Sequence, residues 1–211
     1  MNLGQIRSRV RKVSGFTMPE LYEDGDLDSL INEVYLDVCG TEDWPFLYLD
    51  DVEMTAEGDA VVDLPWPVRT MSSVSATAGP LRETTLDELD ELDEDRTGKP
   101  ELYARLDHRR LLLWPLPDDV YALRLRGWRE PAPLSADNDA PVFEGEFHPL
   151  LAYETAARLL VEFGDFDRVE GLRGQAADVI SRMRVRYLAS KDRGLIQMGG
   201  RRSHHGRRWY A

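Results

Sequence analysis

Residues 121–128 read Tyr-Ala-Leu-Arg-Leu-Arg-Gly-Trp. Tyr121, Leu123, Leu125 and Gly127 fall on one side of that stretch, and Ala122, Arg124, Arg126 and Trp128 on the other. A period of two sustained over a whole segment predicts a half-buried β-strand. Working back toward the N-terminus, Leu111–Trp114, Glu101–Leu106, Val68–Ala76 and Ala60–Leu64 read as further strands, with Tyr48, Val52 and Met54 in another. Pro65, Pro67, Pro80, Pro100, Pro115 and Pro117 punctuate them, so turns and edges are frequent. The segment 47–128 is therefore expected as a small antiparallel sheet or sandwich. Inside it, Thr85-Leu86-Asp87-Glu88 has the pattern of a capping box. It predicts a short acidic helix over 85–93, with Leu86, Leu89 and Leu92 on one side.

Outside this segment the apolar period becomes helical. Leu3, Ile6, Val10 and Val13 predict a helix over about 2–13, stopped by Ser14-Gly15. Leu27, Leu30, Ile31, Val34, Tyr35 and Val38 predict a second over about 25–40, with Asp24 or Asp26 as N-cap and Gly40 at its end. Trp44-Pro45-Phe46 then turns the chain, and Trp44 and Phe46 are expected at the structural joint between helices and β lobe. Residues 129–145, rich in Pro, Asp, Asn and Gly, read as a linker. Pro149 opens a helix that runs to Phe163 and is capped by Gly164, and Phe166 to Tyr187 mark a long last helix over about 165–189. The fold class is α+β. Helices from 1–46 and 146–190 are expected to form a bundle, with 47–128 inserted as the β lobe. Residues 191–211 form a basic extended tail, unstructured alone from Gly194 onward.

Charge is distributed unevenly along the 211 residues, whose formal net charge is −13. Arg7, Arg9, Arg11 and Lys12 come with no acid among them, and from Arg193 to the end there is again none. Between Glu83 and Asp95 lie eight carboxylates and no base. Basic ends on an acidic body suggest that the ends make the contacts. The net acidity argues against a generic nucleic-acid binder. Asp87, Glu88, Asp90, Glu91, Asp93 and Glu94 are expected to face solvent or a channel, because so many carboxylates cannot be buried unpaired. In the tail, Arg201, Arg202, Arg207, Arg208, Trp209 and Tyr210 combine the residue types that dominate binding hot spots, and are expected to dock a protein partner.

Motifs of catalysis are missing from the sequence. It has no phosphate-binding Gly-Lys-Ser/Thr loop, no Gly-x-Gly-x-x-Gly and no Gly-x-Ser-x-Gly. Cys39, the only cysteine, reads as a buried structural residue. His108, His148, His204 and His205 match no zinc spacing, and 87–95 lacks the glycine of a calcium loop. No catalytic residue, cofactor or metal is expected. Apolar runs such as Leu111–Pro115 are far too short to cross a bilayer, and residues 1–13 lack the apolar core of a secretory signal.

Four segments taken in order resemble a family of tailed-bacteriophage head-to-tail adaptor (connector or neck) proteins. They are Asp28–Cys39 followed by Asp43-Trp44-Pro45-Phe46-Leu47; Val62-Asp63-Leu64-Pro65; Gly98–Ala104 with Leu111–Asp118 and Tyr121-Ala122-Leu123; and Phe147-His148-Pro149-Leu150-Leu151. The resemblance covers about residues 25–190. It implies a structural virion protein of the head-tail junction, made in the host cytoplasm, with no reaction and no cofactor. It further implies a homo-oligomeric ring, commonly twelvefold, that docks on the portal protein and contacts neighbouring adaptor subunits and a downstream neck or tail protein. DNA would pass through its channel without sequence-specific binding during genome ejection, and no membrane is involved. The alternatives are another phage neck or tail assembly protein, such as a tail terminator, and a nucleic-acid-binding regulator that uses the C-terminal tail.

Overall fold

A computed structural model describes residues 1–16, 22–76 and 79–198, with side chains to residue 189. It is mixed α+β. Two compact units divide the chain: Met1–Tyr35 with the chain from Leu134 onward, and Leu36–Pro133, which interrupts the first in sequence.

The first unit begins with α1 (Leu3–Ser14), whose Leu3, Ile6 and Val10 are buried. Asn2 and Gln5 close a reciprocal capping box at its start, and Gly15, with φ of +80°, ends it in the left-handed conformation that costs glycine nothing. α2 (Asp24–Gly40) runs across the division between the units. It begins at Asp24, so Asp24 and Asp26 lie in its first turn and neither is the N-cap expected; there they still complement the positive end of the helix dipole.

The second unit is the β lobe. After a 3-10 turn (Pro45–Leu47), its elements in chain order are β1 (Tyr48–Met54), β2 (Val61–Asp63), β3 (Val68–Ala76), β4 (Gly79–Pro80), β5 (Arg82–Glu83), α3 (Leu86–Asp90), β6 (Thr97–Gly98), β7 (Leu102–Arg105), β8 (Arg110–Trp114), β9 (Leu116–Pro117) and β10 (Ala122–Arg129). One sheet has the order β1-β10-β3-β4 and a second β2-β8-β7-β5; β6 and β9 form a parallel pair. The longer pairings are antiparallel. The two four-stranded sheets share one core, in which Leu123 and Leu125 of β10 and Val74 of β3 join Leu111, Leu113 and Tyr103 of β8 and β7. The alternation read in 121–128 is thus the inside-outside alternation of the central strand of its sheet.

Gly127 shows how tight that centre is. The register of β10 against β3 shifts between Arg126 and Gly127, and a Cβ at 127 would lie 2.5 Å from the carbonyl oxygen of Thr70. Only glycine fits there. At the edge, β1 is a strand as read, and its neighbours decide which of its faces is covered. Its apolar residues Tyr48, Val52 and Met54 are exposed, and Leu49 on the opposite face packs against the core. Asp50 on the exposed face is clasped by Arg124 and Arg126, whose hydrogen bonds pull its carboxyl down to about 2.

Two helix boundaries also differ from expectation. α3 ends at Asp90, short of residue 93, and only Leu89 is buried, while Leu86 is exposed. Acids at a helix C-terminus oppose its dipole, and Glu91, Asp93 and Glu94 follow at once. In the first unit, α4 (Pro149–Glu162) packs on α1, and α5 (Phe166–Met198) packs on α4. α5 continues past Gly194, where an unstructured tail was expected to begin, because an isolated glycine costs a helix only about 1 kcal/mol.

Residues 134–145, expected as part of a linker, and 146–148, expected in the C-terminal helices, carry no regular element before α4 yet are fastened to the first unit. Leu3 and Gly4 donate backbone hydrogen bonds to Asp139 and Asp137. Asn32 pairs with the backbone of Leu134 in both directions, at 2.7 and 2.8 Å. Leu134, Phe143 and Phe147 are buried.

Candidate functional site

The exposed acidic run follows from its capping chemistry. Thr85 accepts a hydrogen bond from the Glu88 amide and starts α3. Glu88 in turn accepts from the Thr84 hydroxyl, which holds its carboxyl below the usual range. Asp87, Glu88, Asp90, Glu91, Asp93 and Glu94 are all exposed, and none forms an ion pair among the described residues. Beyond the helix, the Trp114 indole donates to the Asp93 carbonyl at 3.0 Å, fixing the run to the end of β8. Arg82 adds to the hold on Glu88, whereas the other five carboxylates, crowded on one short stretch, repel one another.

The basic N-terminal stretch behaves otherwise. Arg7 grips Asp28 with two nitrogens, at 2.7 and 2.5 Å, and also reaches Asp137 at 2.8 Å. Its hydrogen bonds to Asp28 raise an already high pKa further. Arg11 holds Asp24 at 2.7 Å and the Tyr22 carbonyl at 2.8 Å. Arg9 donates to the Tyr153 hydroxyl at 3.0 Å. These three arginines were expected to serve contacts made by the chain's end; they are internal clasps of the first unit, because carboxylates distant in sequence come within reach on folding.

Trp44 is fully buried, and its indole donates to the Val38 carbonyl at 2.9 Å. Phe46, half-buried, stacks on it with ring centroids 5.7 Å apart. Sequence reading singled out both but missed Arg69 of β3, which binds the carbonyls of Gly40 and Glu42 and the carboxylate of Asp43 at 2.8–3.0 Å. That guanidinium caps the C-terminus of α2, where free carbonyls and the negative dipole end favour a cation. No local signal marks it, since its partners lie almost thirty residues away. The tail residues Arg201, Arg202, Arg207, Arg208, Trp209 and Tyr210 lie outside the described residues.

The sequence model of one family, described as SU10 adaptor protein, matches residues 1–208. The chain belongs to that family. It is a phage head-to-tail adaptor family, so the chain is a structural virion component associated with other head and tail proteins. No curated protein matches it. Structural adaptors of this kind are typically non-enzymatic. Among the described residues no three His, Cys, Asp or Glu side chains gather as a metal site, and no helix is long and apolar enough to cross a membrane.

The adaptor's buried histidine is structural. His148 makes contacts of 2.7 and 2.8 Å with the carbonyls of Met1 and Phe143. Burial pushes its pKa below the ordinary histidine value. Cys39 is buried and free of any disulfide.

Proposed function

We propose that the protein is a subunit of a homo-oligomeric ring that docks on the portal and extends the DNA channel toward a downstream neck or tail protein. The observation that carries this reading is membership of the adaptor family along nearly the whole chain. Two structural features support it. The β lobe and the helical unit each bury their own apolar residues, as a scaffold requires. The run Asp87–Asp95 brings exposed carboxylates that form no ion pair among the described residues to the surface, where a ring offers them two settings: the channel, whose DNA they repel and so let pass, or a cationic face of a neighbouring subunit. Trp44 and Phe46 fit a structural joint between helices and β lobe. Arg201, Arg202, Arg207, Arg208, Trp209 and Tyr210 fit a tail that orders on the portal, where a matching groove offsets the entropy of ordering.

The test is binding of the full chain to purified portal rings, followed by electron microscopy of the complex. A coaxial ring on one end of the portal is expected, and absence of binding overturns the reading. Deleting residues 200–211 should weaken that binding; undiminished affinity would remove the tail from the docking surface while leaving the adaptor assignment intact.

A further inference from the structure

The β lobe carries a cleft whose donors have no acceptor. Trp66, His108, Arg109, Arg129 and Glu130 line a cavity of about 460 Å³ beside the turn that joins β7 to β8, walled by prolines such as Pro67. Trp66 is only 6% exposed, yet its indole N–H has no hydrogen-bond partner, and the Nε of Arg129 is likewise buried without one. A buried N–H left unpaired is unfavourable, which makes such a donor a marker for an acceptor brought from outside. Arg109 is exposed, and neither it nor Arg129 forms an ion pair among the described residues. Glu130 is the only carboxylate of the lining, set against two guanidiniums and an imidazole. The chemistry that suits this cleft is a carboxylate-rich segment.

Such a segment sits at the other end of the same lobe. The β7–β8 pairing runs from Arg105 opposite Leu111, next to the cleft's turn, to Leu102 opposite Trp114. Trp114 holds the backbone of Asp93, so the acidic run lies at the far end of that hairpin. Roughly 10 Å of paired strand separates the two ends, before the turns are added. A chain's own run therefore lies away from its own cleft, which leaves the cleft open to the run of a second copy.

We propose that the acidic run Asp87–Asp95 of one copy docks in the Trp66 cleft of the next, its carboxylates accepting hydrogen bonds from the Trp66 indole and the Arg109 and Arg129 guanidiniums. Charge complementarity argues for this occupant: among the described residues the run is acidic and exposed, with Arg82 acting on Glu88, and the cleft sets two guanidiniums against one carboxylate. The contact uses two different patches, so it is heterologous and repeats in one sense from copy to copy, closing a ring when the rotation per copy allows. The inference rests on the ring reading above and names its lateral contact.

Two variants of the full chain test it. One carries Arg109→Glu with Arg129→Gln, which disables the cleft. The other carries Asp90→Lys, Glu91→Lys, Asp93→Lys and Glu94→Lys, which disables the run. In sedimentation velocity at low salt the unaltered chain should associate with concentration, and about 0.5 M NaCl should suppress this because exposed charges are screened. Each variant alone should associate roughly tenfold or more weakly. An equal mixture should give one-to-one dimers and nothing larger, since only one intact run meets one intact cleft. Circular dichroism melts check that both variants fold, and Arg109→Glu alone, at an exposed position, serves if Arg129→Gln does not. Association of either variant like the unaltered chain, a mixture no better than its parts, or an unaltered chain that stays monomeric at low salt overturns the contact. Portal rings still bound in those cases would show that the adaptor reading survives and the lateral contact does not; failure to bind portal would sink the reading itself.

Discussion

Two one-sign stretches lie wholly among the described residues, and folding treats them in opposite ways. Arg7, Arg9 and Arg11 of α1 are engaged inside the first unit, by Asp28, Asp137, Asp24 and Tyr153. The acids of the run Asp87–Glu94 in the β lobe lie at the surface and form no ion pair among the described residues. The difference lies in what surrounds each run after folding. α1 packs on α4, and on folding α2 brings Asp24 and Asp28, the strap 134–148 brings Asp137 and α4 brings Tyr153 within reach of its arginines. The acidic run spans a helix of five residues and the turn after it, at the end of a hairpin where Arg96 is already taken up by the Trp114 ring and Glu101. A one-sign run in a sequence thus marks a partner without saying whether that partner is the same chain.

The largest effect expected in testing this contrast sets its scale. Trp44→Ala removes a fully buried ring and the hydrogen bond to Val38, and should cost roughly 3–5 kcal/mol in denaturant melts. A loss below about 1 kcal/mol would show that Trp44 holds nothing together. Arg7→Ala should come next, at about 2–4 kcal/mol, because it leaves Asp28 without its cation in a half-buried setting. If Arg7 proves as dispensable as a surface lysine, the contrast between the two runs collapses.

The pH dependence separates the first unit's buried histidine from its carboxylates. Burial lowers the folded pKa of His148 below the ordinary 6.5, so the unfolded chain binds more protons in that window. Stability should therefore fall as pH drops below about 6.5, down to the folded pKa. Asp24 and Asp139 are shifted down as well, but their contribution is lost only below the ordinary carboxylate range. Melting temperatures from pH 7 to pH 5 should decline in the unaltered chain and decline less in His148→Gln. Equal slopes would refute the linkage.

The smallest effect belongs to the acidic run. Asp90→Asn, Glu91→Gln, Asp93→Asn and Glu94→Gln, each made singly, should stay within about 0.5 kcal/mol of the unaltered chain, since exposed unpaired charges contribute little to folding. A loss of about 2 kcal/mol or more in any of them, on the scale usual for a broken internal pair, would mean that the run has an internal partner after all.

What the amino-acid order determines by itself here is the alternation of periods. Leu123 and Leu125 between arginines must face a core on one side of a strand, and Leu3, Ile6 and Val10 must share one face of a helix, because burial acts through the local geometry of the backbone. The turn and core motifs in their order likewise carried the family. The site is another matter. Gly15 as a helix stop and Thr85 as a cap are local and were legible; Arg69 as the cap of α2 and the strap's grip on α1 were not. Nor was the outward face of Tyr48, Val52 and Met54, since a strand's period shows two faces and only its neighbours choose between them. Arg7 meets Asp137 across 130 residues, and Trp66 and Arg129 share a cleft from opposite ends of the lobe's sequence. Pairing of that kind depends on where the chain returns, so only the tertiary structure could decide which charges were consumed within the fold and which remain for another molecule.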